Sequence, residues 1–126
     1  MNFAENFLGL IGAFNQFKVD FMLVGGYAVN FHGYQRTTSD LDVWVRPSNE
    51  NKTKVYDALK SFGYAEDALK PLLQINFETP FLFHIGEKPF DVEVFNFITG
   101  VRYEEAAEHK MPFNYSKSLQ VNFIPG

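Results

Sequence analysis

Gly25 and Gly26 close the apolar run Phe21-Met-Leu-Val24, and Asp40 and Asp42 flank Leu41 where a second apolar run begins. Residues two apart in a strand point to the same face, so Asp40 and Asp42 would aim their carboxylates into one small volume. Two like charges placed that close are costly unless a cation neutralises them. A glycine pair between a strand and a helix lets backbone N–H groups approach an anion, with the helix dipole behind them. Together the two pairs read as a candidate divalent-metal site beside a candidate phosphate site.

Most Asp-x-Asp pairs are solvated loop charges. Here Leu41, Val43, Trp44 and Val45 make the strand read as buried, and a buried strand does not carry two aspartates without compensation. A third acid is at hand in Phe90-Asp-Val-Glu-Val-Phe95, whose alternation puts Asp91 and Glu93 on one face. Either completes a carboxylate cluster if this segment pairs beside the Asp40 strand. Magnesium takes oxygen ligands in octahedral geometry and keeps several waters, so two or three carboxylates plus substrate phosphates suit it. The glycine pair lacks the Lys-Ser/Thr ending of a Walker loop and the spacing of a dinucleotide fingerprint. Its weight comes from the aspartates downstream. No G-x-S-x-G elbow is present to support a serine nucleophile. His32, before Gly33, reads as a helix-end residue with site contact as the alternative, while His84 and His109 read as incidental.

The elements that must position these groups follow from periodicity. Phe3, Phe7, Leu10, Ile11, Phe14 and Phe17 trace one face of an amphipathic helix. Phe21 to Val24 is a short buried strand, Tyr27 to His32 a short helix ended by Gly33, and Leu41 to Val45 a second strand. Ser48 or Asn49 caps a helix that carries Val55, Leu59 and Phe62 on one face and ends at Gly63. Leu72 to Phe77 and Pro80 to Ile85 are expected as strands around a turn, and Gly86-Glu-Lys-Pro89 as a hairpin connection into a strand over Phe90 to Phe97. Tyr103 to Glu108 is expected as a short helix and Leu119 to Ile124 as a last strand. Helices and strands mix without regular βαβ repetition, so the expected class is α+β, a mixed β-sheet flanked by helices.

The 126 residues are most simply one domain, 1–126, and the 46% apolar content with 15 phenylalanines supports a packed interior. The longest apolar runs are far too short to cross a bilayer, and the start Met-Asn-Phe-Ala-Glu lacks a signal-peptide pattern. Without cysteine there is no disulfide framework or thiolate chemistry, which fits a reducing cytoplasm. A net charge of −4 with scattered basic residues disfavours tight electrostatic binding of nucleic acid. The ending Ile124-Pro-Gly126, with no closing helix, reads as a minimal domain or one cut short at its C-terminus.

Val24-Gly-Gly-Tyr-Ala28, Arg36-Thr-Thr-Ser-Asp-Leu-Asp-Val43 and Phe90-Asp-Val-Glu-Val94 resemble the polymerase-beta-type nucleotidyltransferase superfamily. Its signature is an apolar residue, Gly, then Gly or Ser, Asp-x-Asp on the next strand and a third acid on a later one. The closer likeness is to small bacterial members, the AbiEii-like and minimal nucleotidyltransferases, which include toxin- and antitoxin-type proteins. The resemblance spans roughly residues 19 to 97 and includes His32-Gly33. It implies transfer of a nucleotidyl group from an NTP to an acceptor hydroxyl, with Mg²⁺ (or Mn²⁺) as cofactor. It implies that Asp40 and Asp42 hold metal, that Asp91 is the third metal acid and helps activate the hydroxyl, and that Gly25 and Gly26 cradle the phosphates. Arg36 and Thr38 are the implied further phosphate contacts. The acceptor, whether protein, RNA or small molecule, stays open. In two respects the chain departs from the pattern: members of the closer kind continue into a helical segment, and many active transferases carry Gly-Ser where this chain has Gly-Gly. The rival expectation is a non-catalytic module of the same fold that works by binding a protein, such as one half of a toxin–antitoxin pair. A weaker third is a carboxylate-metal phosphohydrolase.

Overall fold

Of the apolar stripe near the N-terminus, Phe7, Leu10, Ile11 and Phe14 lie buried in helix α1 (Glu5–Gln16), Phe17 follows the helix end, and Phe3 lies outside the described residues. The computed structural model describes residues 5–25, 41–88, 90–116 and 119–125. After α1 come strands β1 (Phe21–Val24) and β2 (Leu41–Val45) and helices α2 (Asn49–Phe62) and α3 (Glu66–Leu73). Strands β3 (Leu82–Ile85) and β4 (Val92–Phe95), helix α4 (Tyr103–Glu108) and strands β5 (Met111–Ser116) and β6 (Leu119–Phe123) complete the order. The expected helix over Tyr27 to His32, with its Gly33 cap, lies outside the described residues.

The strands form one six-stranded sheet in the order β3-β4-β2-β1-β6-β5. Strands β1 and β2 are antiparallel, β2 and β4 parallel, β3 and β4 antiparallel, β1 and β6 parallel, and β5 and β6 antiparallel. The fold is therefore α+β with a mixed sheet. Alternation along the strands sorts the side chains to two faces. Leu41, Val43, Val45, Val92 and Val94 join the main core with the apolar stripes of α1, α2 and α3. On the other face Met22, Val24 and Trp44 pack with Tyr103 and Ala106 of α4. Among the described residues no helix is long and apolar enough to cross a membrane.

Helix α2 starts and stops where the sequence predicts. The Ser48 hydroxyl accepts from Asn51 N–H at 3.2 Å, and Gly63 is the C-cap. The segment after it departs from expectation. Leu72 belongs to α3, and Leu72 to Phe77 forms no strand. Leu73, Ile75 and Phe77 alternate like a strand, but the segment joins no sheet. Instead the Lys52 ammonium donates to the carbonyls of Leu73 and Ile75, at 3.3 and 2.8 Å, and Asn49 accepts from Phe77 N–H at 2.9 Å. The backbone polar groups that a strand would have paired are satisfied by α2 side chains. The strand expected over Pro80 to Ile85 is shorter, Leu82–Ile85, and that over Phe90 to Phe97 is Val92–Phe95. Strand β5 answers to no sequence expectation; it is held by its pairing with β6.

Two buried asparagines tie loops to this frame. Asn51 accepts from Asp20 N–H at 2.9 Å and donates to the carbonyls of Asp20 and Arg46, at 3.0 and 3.2 Å. Asn96 accepts from Phe81 N–H at 2.9 Å and donates to the carbonyls of Phe77 and Thr79, at 2.8 and 2.9 Å. A buried group stripped of its partner costs about 1–3 kcal/mol. Asn96→Ala, which strips three backbone groups at once, is expected to lower stability by about 2–4 kcal/mol, read as a lower urea midpoint at unchanged slope.

Candidate functional site

Strand β2 pairs directly with β4 in parallel, so the two acid-bearing segments of the sequence are neighbours. Leu41 is the register partner of Val92 and Asp42 that of Glu93, on strands spaced ~4.8 Å apart. One bond ties the mouth of the pair: Leu41 N–H donates to the Asp91 carbonyl at 3.2 Å. Because Leu41, Val43, Val92 and Val94 face the helix-covered core, Asp42 and Glu93 project from the opposite face, the side of Trp44. Asp91, two residues before Glu93, has the same parity.

Gly25 joins this group through steric fit. Val24 is the antiparallel partner of Asp42, and Gly25 follows with φ +70°. A Cβ built on Gly25 would fall on the Asp42 carboxylate, with the Asp42 Cγ at 3.0 Å. The glycine therefore serves twice: it supplies a backbone conformation that side-chain-bearing residues resist, and it leaves the space the carboxylate fills.

Asp91 is 4% exposed, the one buried charged residue among those described. Its Oδ2 lies 3.0 Å from His84 Nε2, on the neighbouring edge strand β3. Its Oδ1 is buried without a hydrogen-bond partner. The hydrogen bond from His84 holds the carboxyl below its ordinary value of 3.8, against the opposing effect of burial, with Lys88 adding a smaller pull in the same direction. The sequence left His84 aside as isolated. The signal it carried was alternation: in Leu82-Phe83-His84-Ile85, Phe83 and Ile85 enter the core, so His84 turns to the face of the acids, opposite Glu93.

Of the residues the sequence singled out, Gly25, Asp42, Asp91 and Glu93 are drawn together at one end of the sheet. Gly26, His32, Arg36, Thr38 and Asp40 lie outside the described residues. Among the described residues no three His, Asp or Glu side chains are grouped closely enough to hold a metal ion. The chemistry of the donors nevertheless fits a hard dication: they are carboxylates, and Asp91 Oδ1 is a buried lone-pair donor that nothing satisfies. His109, by contrast, stands exposed at the C-terminal end of α4.

Comparison of the chain with protein-family models finds no matching family, and comparison with curated proteins and with solved structures finds no similar protein.

Two outcomes follow from this geometry. Gly25→Ala is expected to cost about 1–2 kcal/mol through its positive φ and to displace the Asp42 carboxylate. A urea titration reads the first, and weakened Mn²⁺ binding by the folded variant reads the second. For pH, a carboxyl depressed in the folded state contributes stability above its unfolded pKa and loses it as pH falls through the folded value. The metal-free protein is therefore expected to lose stability below about pH 4, and Asp91→Asn to lose less over the same interval, as measured by urea unfolding at pH 6 and pH 3.

Proposed function

We propose that the chain is a metal-dependent nucleotidyltransferase of the polymerase-beta type, moving a nucleotidyl group from an NTP to an acceptor hydroxyl. The observation that carries the reading is the parallel pairing of β2 with β4, which sets Asp42 beside Glu93 and brings Asp91 to the same end of the sheet. The sequence order of glycine pair, double aspartate and later acid is that of the superfamily, and the contact of Gly25 with Asp42 joins its first two parts in space.

In this reading Asp40, Asp42 and Asp91 hold Mg²⁺ or Mn²⁺, with Glu93 beside them. Such ions, when bound, would supply positive charge to offset that of the triphosphate and of the transition state. The chain supplies the rest. Gly25 and Gly26 let the backbone approach the phosphates, and Arg36 and Thr38 offer charged and hydroxyl donors to their oxygens. Asp91, whose carboxyl is held below its ordinary value, would help activate the attacking hydroxyl, whose proton is lost as the new P–O bond forms and pyrophosphate leaves. The test is incubation with labelled NTPs, Mg²⁺ or Mn²⁺ and candidate protein, RNA or small-molecule acceptors. Asp42→Asn is expected to reduce transfer by about 100-fold, the order lost when one contact to transition-state charge is removed. Metal-dependent transfer that survives this substitution would overturn the role of Asp42.

A second reading is favoured by a different observation. Leu82 and Phe97 are 62% and 48% exposed, apolar side chains that a protein partner would cover. They support a non-catalytic module of the same fold that binds a protein, such as one component of a toxin–antitoxin pair. Calorimetry with Mg²⁺ and ATP separates the two: absence of binding at millimolar ligand favours the module, and saturable binding lost in Asp42→Asn favours the transferase.

A further inference from the structure

We infer that His84 is a positioning residue for Asp91: its Nε2–H holds Oδ2 and leaves Oδ1 turned to a divalent cation. The inference rests on the metal-site reading above and extends it to a residue outside the superfamily signature. An ionised carboxylate only accepts hydrogen bonds, so the imidazole carries its proton on Nε2 in the 3.0 Å contact. The two partners differ sharply in exposure, with the His84 side chain 50% and that of Asp91 5% exposed. The histidine thus reaches in from the sheet edge to a carboxylate already withdrawn from water.

Asp91 is fixed from three directions. Its carbonyl accepts from Leu41 N–H across the β2–β4 mouth. The turn behind it packs closely, since a Cβ on Gly86, at φ +88°, would lie 3.2 Å from the Phe90 carbonyl oxygen and 3.4 Å from the Asp91 Cα. His84 fixes the remaining freedom, rotation of the carboxylate about its own bond. With Oδ2 held, Oδ1 is the orphan. A buried lone-pair donor with no partner is tolerated where a ligand completes it. The choice of histidine also has a reason. Histidine suits the place sterically: its ring carries a single N–H to the carboxylate at 3.0 Å from a side chain that stays half-exposed at the sheet edge. Partners of this kind orient ligating groups, and their loss weakens metal affinity by about 10–100-fold.

The probe is Mn²⁺ alone, its free concentration followed by electron paramagnetic resonance during titration of the full chain. Variants are His84→Phe, His84→Gln, Asp91→Asn and the double variant His84→Phe/Asp91→Asn. Far-UV circular dichroism checks folding, and the half-exposed position of His84 leaves the core untouched. His84→Phe keeps the ring and removes the donor, and is expected to weaken Mn²⁺ binding by about 10–100-fold. His84→Gln restores a donor and should bind close to wild type. In the Asp91→Asn background His84→Phe should add no further loss, because residues that act through one another are not additive. Wild-type affinity in His84→Phe would overturn the role of His84 while leaving the metal site standing. Equal impairment of the Phe and Gln variants, or full additivity with Asp91→Asn, would overturn the hydrogen-bond mechanism. A wild-type chain that takes up no Mn²⁺ at millimolar concentration would overturn the metal site and the positioning role together.

Discussion

The parallel pairing of β2 with β4 is the constraint on which the remaining structure turns. It buries Leu41, Val43, Val92 and Val94 completely, each such side chain being worth roughly 1.5–3 kcal/mol. With a side-chain period of two, the same register that sends these residues inward must send Asp42 and Glu93 outward. A slip of one residue would drive the acids into the apolar core, at a cost no neighbour there offsets. The core thus holds the acids in place by exclusion, and the carboxylate group needs no contact of its own to be specified on that face. Strand β1 extends the logic, since its antiparallel partnership with β2 delivers Gly25 to the Asp42 carboxylate.

The two ends of the sheet are built differently. At the far end charges are matched: Arg46 Nε meets Asp20 Oδ2 at 2.7 Å and its guanidinium lies over the Tyr103 ring at 5.1 Å. Asn51 closes the same corner with three backbone bonds. At the acid end Asp91 Oδ1 is left unmatched, a defect worth about 1–3 kcal/mol against stability. The indole Nε1 of Trp44, packed on Tyr103, is likewise buried without a hydrogen-bond partner. What distinguishes Asp91 from the polar face of an ordinary strand is that a charged group is withdrawn from water and held by His84.

Legibility of the chain followed the range of the forces involved. Helix α1, strands β1 and β2 and helix α4 lie where local periodicity places them, and α2 runs between its Ser48 and Gly63 caps. Each is specified by residues within a few positions. The failures are long-range. The Leu72 to Phe77 segment has a strand-like pattern, yet its backbone is captured by Lys52 and Asn49 from another helix. Strand β5 has no pattern of its own and depends on β6. His84 looked isolated because its partner sits across a hairpin, seven residues on, where only the strand register brings them together.

For the candidate site the division is the same. The residue types and their order, glycine pair, double aspartate and a later acid on an alternating strand, were legible in the sequence, because alternation alone assigns a strand's residues to faces. Whether the later strand lay beside the first was not, since strand adjacency depends on which apolar faces can be buried together over the whole chain. The tertiary structure decided that adjacency through the main core, and with it three things the sequence left open. Glu93 stands opposite Asp42, Asp91 lies withdrawn from water, and His84 holds one of its oxygens. The sequence determined by itself which groups were available for chemistry. Only packing decided which of them meet.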